Sequence, residues 1–83
     1  MSADLARAEA VVTHLAKALV DDPGAVGVAV DDSHDTPRLN VTAAAGEMGR
    51  LIGKRGRTAM AIRAVGRAAA AVDGGTVDVE FLD

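Results

Sequence analysis

Apolar residues recur over the first twenty positions at steps of three and four: Leu5, Ala8, Val12, Leu15 and Leu19. This spacing lines one face of a helix. Ser2 is placed to cap that helix, Asp4 falls in its first turn, and Asp21-Asp22-Pro23-Gly24 stops it. The period then shortens to two. Val26, Val28 and Val30 alternate with small residues, and Leu39, Val41 and Ala43 alternate again. The segment between them, DDSHDTP at 31–37, has the composition of a turn, so the two strands are expected to form an antiparallel hairpin.

From Gly46 the period becomes helical. Met48, Leu51 and Ile52 suit one side of a helix of about two turns. Beyond Gly56, the residues Ile62, Val65, Ala69 and Val72 mark the expected buried stripe of a longer helix, with Arg63 and Arg67 on a different face. Asp73-Gly74-Gly75 ends it, glycine being free to take the left-handed cap. Val77, Val79 and Phe81 then alternate with Thr76, Asp78 and Glu80 as a last strand. The order is α-β-β-α-α-β. Two helices between the second and third strands allow those strands to run parallel. The expected architecture is α+β: a three-stranded mixed sheet, three helices packed on one face and the other face wet.

Composition narrows this picture. A chain of 83 residues makes one domain, 1–83, with a first helix and hairpin over 1–45 and a helix–loop–helix–strand core over 46–83. Its core is small. Alanine and valine supply most of the apolar content and Phe81 is the sole aromatic residue, so the core depends on close backbone approach, and a second subunit would stabilise it. Without cysteine there is neither a disulfide framework nor a thiolate metal site. Nothing reads as a signal peptide or a membrane span, which makes the cytoplasm the expected location.

The net charge is −3, but it is unevenly spread. Residues 21–35 carry five acidic groups and no Lys or Arg, whereas Arg50, Lys54, Arg55, Arg57, Arg63 and Arg67 fall in a window without an acid. Such a run is either a solvated helix face or the footprint of an anionic partner.

Within that window lies GRLIGKRGRT, residues 49–58. G-x-x-G alone is uninformative, since GAVG at 24–27 and GEMG at 46–49 also match. GAVG is apolar and leads into a strand, and GEMG holds a carboxylate where an anion would sit. Only GKRG at 53–56 combines two cations, a preceding Leu-Ile and a following helix. Glycine lets a backbone approach closely, the helix N-terminus offers N–H groups and a positive dipole end, and Lys54 and Arg55, flanked by Arg50 and Arg57, add full charges. The competing reading is a helix–helix turn in which Gly53 only relieves strain. A nucleotide-binding P-loop fits poorly: the spacing is one residue short, Arg55 stands where Ser or Thr is needed, and the motif follows a helical segment rather than a strand.

The stretch LIGKRGRTAMAIRAV, preceded by GEMGR, resembles the loop and following helix of a K-homology (KH) domain, and the element order resembles the type II arrangement. The short length, MGRLIGKRGRTAMAIRAVGRAAA and the terminal strand look like the KhpA family, small bacterial single-KH-domain RNA-binding proteins. The resemblance implies that Gly53, Lys54, Arg55 and Gly56 are the G-x-x-G loop that clamps about four single-stranded nucleotides. It also implies that Ile52 and Ile62 line or support the groove for the bases. Homodimers, and pairing with a larger KH-containing partner of the KhpB type, are implied too. The scarcity of aromatics suits a KH domain and argues against readers that stack bases on aromatic platforms.

Other residues have ordinary readings. His14 and His34 lack partners at metal spacing, Asp31, Asp32 and Asp35 read as a solvated turn without the EF-hand pattern, and Met48 and Met60 read as gap-fillers. No cofactor or metal is expected, and no nucleophile, base and orienting group can be assembled. Two functions follow: a non-catalytic binder of single-stranded RNA, acting as a chaperone or post-transcriptional regulator, or a protein-interaction and dimerisation module with weak RNA contact.

Overall fold

The computed structural model describes residues 4–83, so the Ser2 cap lies outside the described residues. The order is α1 (Ala6–Leu19), β1 (Gly27–Asp31), β2 (Arg38–Thr42), α2 (Met48–Ile52), α3 (Arg57–Val72) and β3 (Asp78–Phe81), with short 3-10 turns at Pro23–Ala25 and Lys54–Gly56. The expected α-β-β-α-α-β order is found. Asp4 sits before the first helix, where its carboxylate accepts the Ala6 N–H at 2.9 Å.

The sheet runs β1-β2-β3. β1 and β2 are antiparallel with Val28 opposite Val41 and Val30 opposite Leu39, and β2 and β3 are parallel with Leu39 beside Val79 and Val41 beside Phe81. A long crossover through α2 and α3 makes the parallel pairing feasible. The register puts valines, Leu39 and Phe81 on one face, and Asp31, Arg38, Asn40, Thr42, Asp78 and Glu80 on the other. Across that outer face Arg38 lies opposite Asp31 and beside Asp78, an arrangement of unlike charges that favours this register. The turn between β1 and β2 is tied locally: the Asp31 carboxylate accepts the Ser33 hydroxyl at 2.6 Å and the Ser33 N–H at 3.0 Å. These bonds, the hydroxyl first, hold the Asp31 carboxyl below the usual carboxylate range.

All three helices contribute to one core against the apolar sheet face: Ala8, Val12 and Ala16 from α1, Met48 and Leu51 from α2, Ile62 and Ala70 from α3, with Leu39, Val41, Val77 and Val79. The helix faces are rotated from those the large apolar residues suggest. On α1 the buried line is Ala8, Val12 and Ala16, while Leu5 and Leu15 only flank it and Leu19 is 40% exposed. On α3 the buried line is Ala59, Ile62, Gly66 and Ala70; Val65 and Val72, both expected inside, are 41% and 70% exposed. Val30 points to the apolar side of its edge strand yet is 45% exposed.

Gly66 is the reason for the rotation. A Cβ there would lie 3.1 Å from Val12 Cγ2 and 3.2 Å from Val79 Cγ2, so α3 rests on α1 and β3 with its backbone against their valines. Small residues on facing helices allow that approach, and the larger valines of α3 are then turned outward. Substituting Gly66→Leu is expected to destabilise the fold by about 1–3 kcal/mol or more through overpacking. Gly66→Ala is expected to change stability little, because its tight contacts offset a helix-propensity gain of about 1 kcal/mol. Urea unfolding at one fixed protein concentration checks both.

Candidate functional site

The expected loop is a tight connection between α2 and α3. The Gly53 N–H closes α2 on Gly49 O at 2.9 Å, and the Gly56 N–H returns to Gly53 O at 3.1 Å. The backbone between is unusual: Gly53 has φ 75°, ψ 174°, Arg55 has φ 60°, ψ 23°, and Gly56 has φ 73°, ψ 13°. Arg55 is the one non-glycine with positive φ among the described residues. An L-residue held in the left-handed region costs about 1–2 kcal/mol, and such conformations concentrate where a side chain must be presented in a fixed direction.

The two glycines do different work. At Gly53 a Cβ would meet the Thr58 side chain, lying 2.6 Å from its Cβ, so Thr58 occupies the space a side chain would need. At Gly56 a Cβ would meet nothing within 4 Å; its surface is open to an incoming group. The turn reading of Gly53 and the close-approach reading of the motif are thus divided between its first and last residues. Thr58 is a contributor that sequence reasoning passed over, since only packing shows it beneath the loop.

The helix N-terminus is less available than expected. The Gly56 N–H bonds Gly53 O, and the Arg57 N–H bonds Lys54 O. Two of the amides that would have faced an anion are therefore spent inside the loop, and the side chains carry more of the positive field.

The basic window separates into two sets. Lys54, Arg55 and Arg57 are exposed, and among the described residues no carboxylate lies within ion-pair distance of any of them. The other three are engaged. Arg50 forms a two-pronged pair with Asp21, at 3.0 Å from Nη2 to Oδ2 and 3.3 Å from Nη1 to Oδ1. Asp21 is itself held in place, as Glu47 accepts the N–H groups of Asp21 and Asp22 at 2.6 Å and 3.1 Å. Arg63 donates from Nε to Val79 O at 3.0 Å, and Arg67 reaches Asp78 at 3.4 Å. Arg50, expected to flank the loop, is paired at the surface with Asp21 of the acidic turn after α1. Ile52 is half-buried at the end of α2, where it can border a groove, whereas Ile62 is only 2% exposed and supports the core from below.

The loop geometry predicts a ranking of stabilities. Gly53→Ala is expected to be the most damaging change, because its φ/ψ region belongs almost only to glycine, at about 1–3 kcal/mol, and Thr58 blocks the new Cβ. Gly56→Ala is expected to cost about 1–2 kcal/mol from its left-handed φ alone. Arg55→Gly is expected to stabilise the fold by relieving strain. Chemical denaturation of the three variants tests the order.

Comparison with known proteins places the chain in a family. The model described as KhpA/KhpB, KH domain, matches residues 9–81. The chain is 42% identical over 72 residues to the RNA-binding protein KhpA of Caldanaerobacter subterraneus subsp. tengcongensis, covering 87% of this chain and 96% of that one. It is 38% identical over 73 residues to the RNA-binding protein KhpA of Halalkalibacterium halodurans, covering 88% and 96%. Leifsonia xyli subsp. xyli has another RNA-binding protein KhpA, 39% identical over 72 residues, covering 87% and 92%. Among solved structures, a crystal structure of an Aquifex aeolicus Era variant bound to GDP.AlF4- superposes with a TM-score of 0.65 at 19% identity, over 89% of this chain and 29% of that one, which shows a shared fold. With its sheet topology, its helix–loop–helix and a family match over most of its length, the chain belongs to the KhpA/KhpB family of KH domains.

Proposed function

We propose that this protein binds single-stranded RNA without catalysis, by clamping the phosphodiester backbone over Gly53-Lys54-Arg55-Gly56, and that it acts in the cytoplasm as an RNA chaperone or post-transcriptional regulator. The observation that carries this reading is the set of three exposed cations, Lys54, Arg55 and Arg57, which have no ion-pair partner among the described residues and stand on and beside a loop whose Gly56 is open to close approach. The names of its relatives as RNA-binding proteins support the choice of ligand. The half-buried Ile52 borders the loop as an apolar surface for bases. A duplex keeps its bases stacked and paired, so it is expected to bind worse than a single strand.

Lys54→Asp combined with Arg55→Asp is expected to abolish binding while leaving the circular-dichroism spectrum unchanged, since both side chains are exposed. With roughly three phosphate contacts at about 0.7 each on a single strand, the log-log salt slope is expected near about −2. Unchanged affinity of the double variant for a single-stranded pool at low salt contradicts the clamp. Binding lost together with the fold assigns the loop a structural role instead.

A second reading, a dimerisation module, is favoured by the outward face of α3. Met60 is 64% exposed, Val65 41% and Val72 70%, and Ala61, Ala64, Ala68 and Ala71 between them are exposed too. An apolar face about three turns long without an acid is suited to a partner. We infer that it is the interface of a homodimer at micromolar concentration, and the surface on which a KhpB-type KH-containing protein pairs. The two readings are compatible, because a dimer carries two loops and gains avidity. Ala64→Glu, in the middle of this face and away from the core, is expected to convert the dimer to a monomer in sedimentation velocity without unfolding it. A dimer that survives this change forms elsewhere.

A further inference from the structure

The open edge of β3 carries an arrangement that the loop does not explain. The Asp78 N–H donates to Pro37 O and the Leu82 N–H to Val41 O, both at 2.9 Å. Alternate residues of a parallel strand bond the same neighbour, so Val79 and Phe81 turn their backbone groups to the open side. Arg63, half-buried on α3, lies there: its Nε donates to Val79 O at 3.0 Å, and its guanidinium carbon sits 5.3 Å from the centre of the Phe81 ring. The guanidinium is thus pinned twice, by a hydrogen bond and by a cation–π contact.

Phe81 is the sole aromatic residue of the chain, and it is partly buried and packed against the core. Its ring already carries the Arg63 guanidinium, 5.3 Å from its centre. The arginine over it can serve a base instead: a guanidinium is planar, weakly hydrated and able to stack on a π-system on each side, and unpaired bases in RNA stack on such planes. Arg63 follows Arg57 by six residues, about 9 Å along the helix at 1.5 Å per residue. A strand clamped over the loop and continuing along the β3 side of α3 therefore passes it.

We propose that Arg63 is a base-stacking residue of the RNA surface: the outer plane of its guanidinium, held rigid by Phe81 and Val79 O, receives one unpaired base. This rests on the RNA-binding reading above and deepens it, assigning base contact to Arg63 and phosphate contact to Lys54, Arg55 and Arg57. Holding the plane in advance removes the side-chain ordering cost that a free arginine meets on binding. The competing role for Arg63 is a structural one, guarding the strand edge against pairing with another chain.

The test uses the full chain and a four-nucleotide single-stranded RNA, intact and with each position in turn made abasic. Arg63→Lys keeps the charge and removes the plane. It is expected to lower affinity for the intact strand by about tenfold, within the range of one base stack, with the salt slope unchanged. One abasic position is expected to cost the wild type a similar factor, and on that strand Arg63→Lys is expected to cost nothing more. Phe81→Leu, which keeps apolar volume and removes the ring, is expected to give a smaller loss with the same dependence on that position. Thermal melts of both variants accompany the titrations. Equal loss on every strand, a changed salt slope, or a lowered melting temperature with unchanged affinity each overturns the proposal, the last in favour of the edge guard. If the wild type binds the intact strand through Lys54 and Arg55 but ignores Arg63→Lys, this inference fails alone; if the wild type binds no strand, the RNA-binding reading fails with it.

Discussion

Helix α3 rests on α1 and β3 because position 66 carries no bulk. Val12 and Val79 close on the Gly66 backbone from two elements, and that contact fixes the rotation of the longest helix in the protein. The rest of the arrangement depends on it. Ile62 and Ala70, a turn to either side, are drawn into the core, and Arg63 is brought to the edge of β3. The same rotation turns Met60, Val65 and Val72 to the outside. A core made largely of alanine and valine has little apolar area per residue to bury, so close approach of backbones compensates for small side chains. The outward apolar face of α3 is the other consequence of that economy of bulk.

At the start of the same helix, tight local packing serves presentation rather than stability. Thr58 fills the space beside Gly53, the loop amides of Gly56 and Arg57 are bonded inward, and Arg55 is held in a left-handed conformation. The turn and the first residue of α3 then carry three cations that no carboxylate among the described residues pairs. Nearby, Asp21 holds Arg50 and Asp78 holds Arg67. A net acidic chain is thereby left with a confined positive patch, since opposite charges cancel where they are paired and persist where they are not. Local field, and not total charge, governs attraction of an anionic strand at a separation comparable to the screening length of about 8–10 Å.

Much of this was legible in the sequence. Period-two alternation gave both hairpin strands and the last strand, because a sheet with one wet face must alternate. The helices followed from three-and-four spacing and from Pro23 and Gly74 as stops, and the parallel pairing of β2 and β3 from the length of the crossover. The GKRG loop stood out from GAVG and GEMG by charge and by its neighbours, which are properties of residue type. The fold and the loop's position were therefore determined by local pattern, read at the scale of a few residues.

Tertiary structure decided which face of each helix goes inside and which cations remain free. The pattern of large apolar residues pointed to Val65, Val72 and Leu19, but a seam of Ala8, Ala16, Ala59, Gly66 and Ala70 won, because small residues on both partners let elements approach and a spacing rule built on bulk does not weigh them. The pairing of Arg50 with Asp21, 29 residues away, and of Arg63 with Val79 O, 16 away, could not be read along the chain. Sequence determines which residues carry charge and where the turns fall; partners that meet only after the sheet and helices have packed determine whether each charge is spent inside the molecule or left for a ligand.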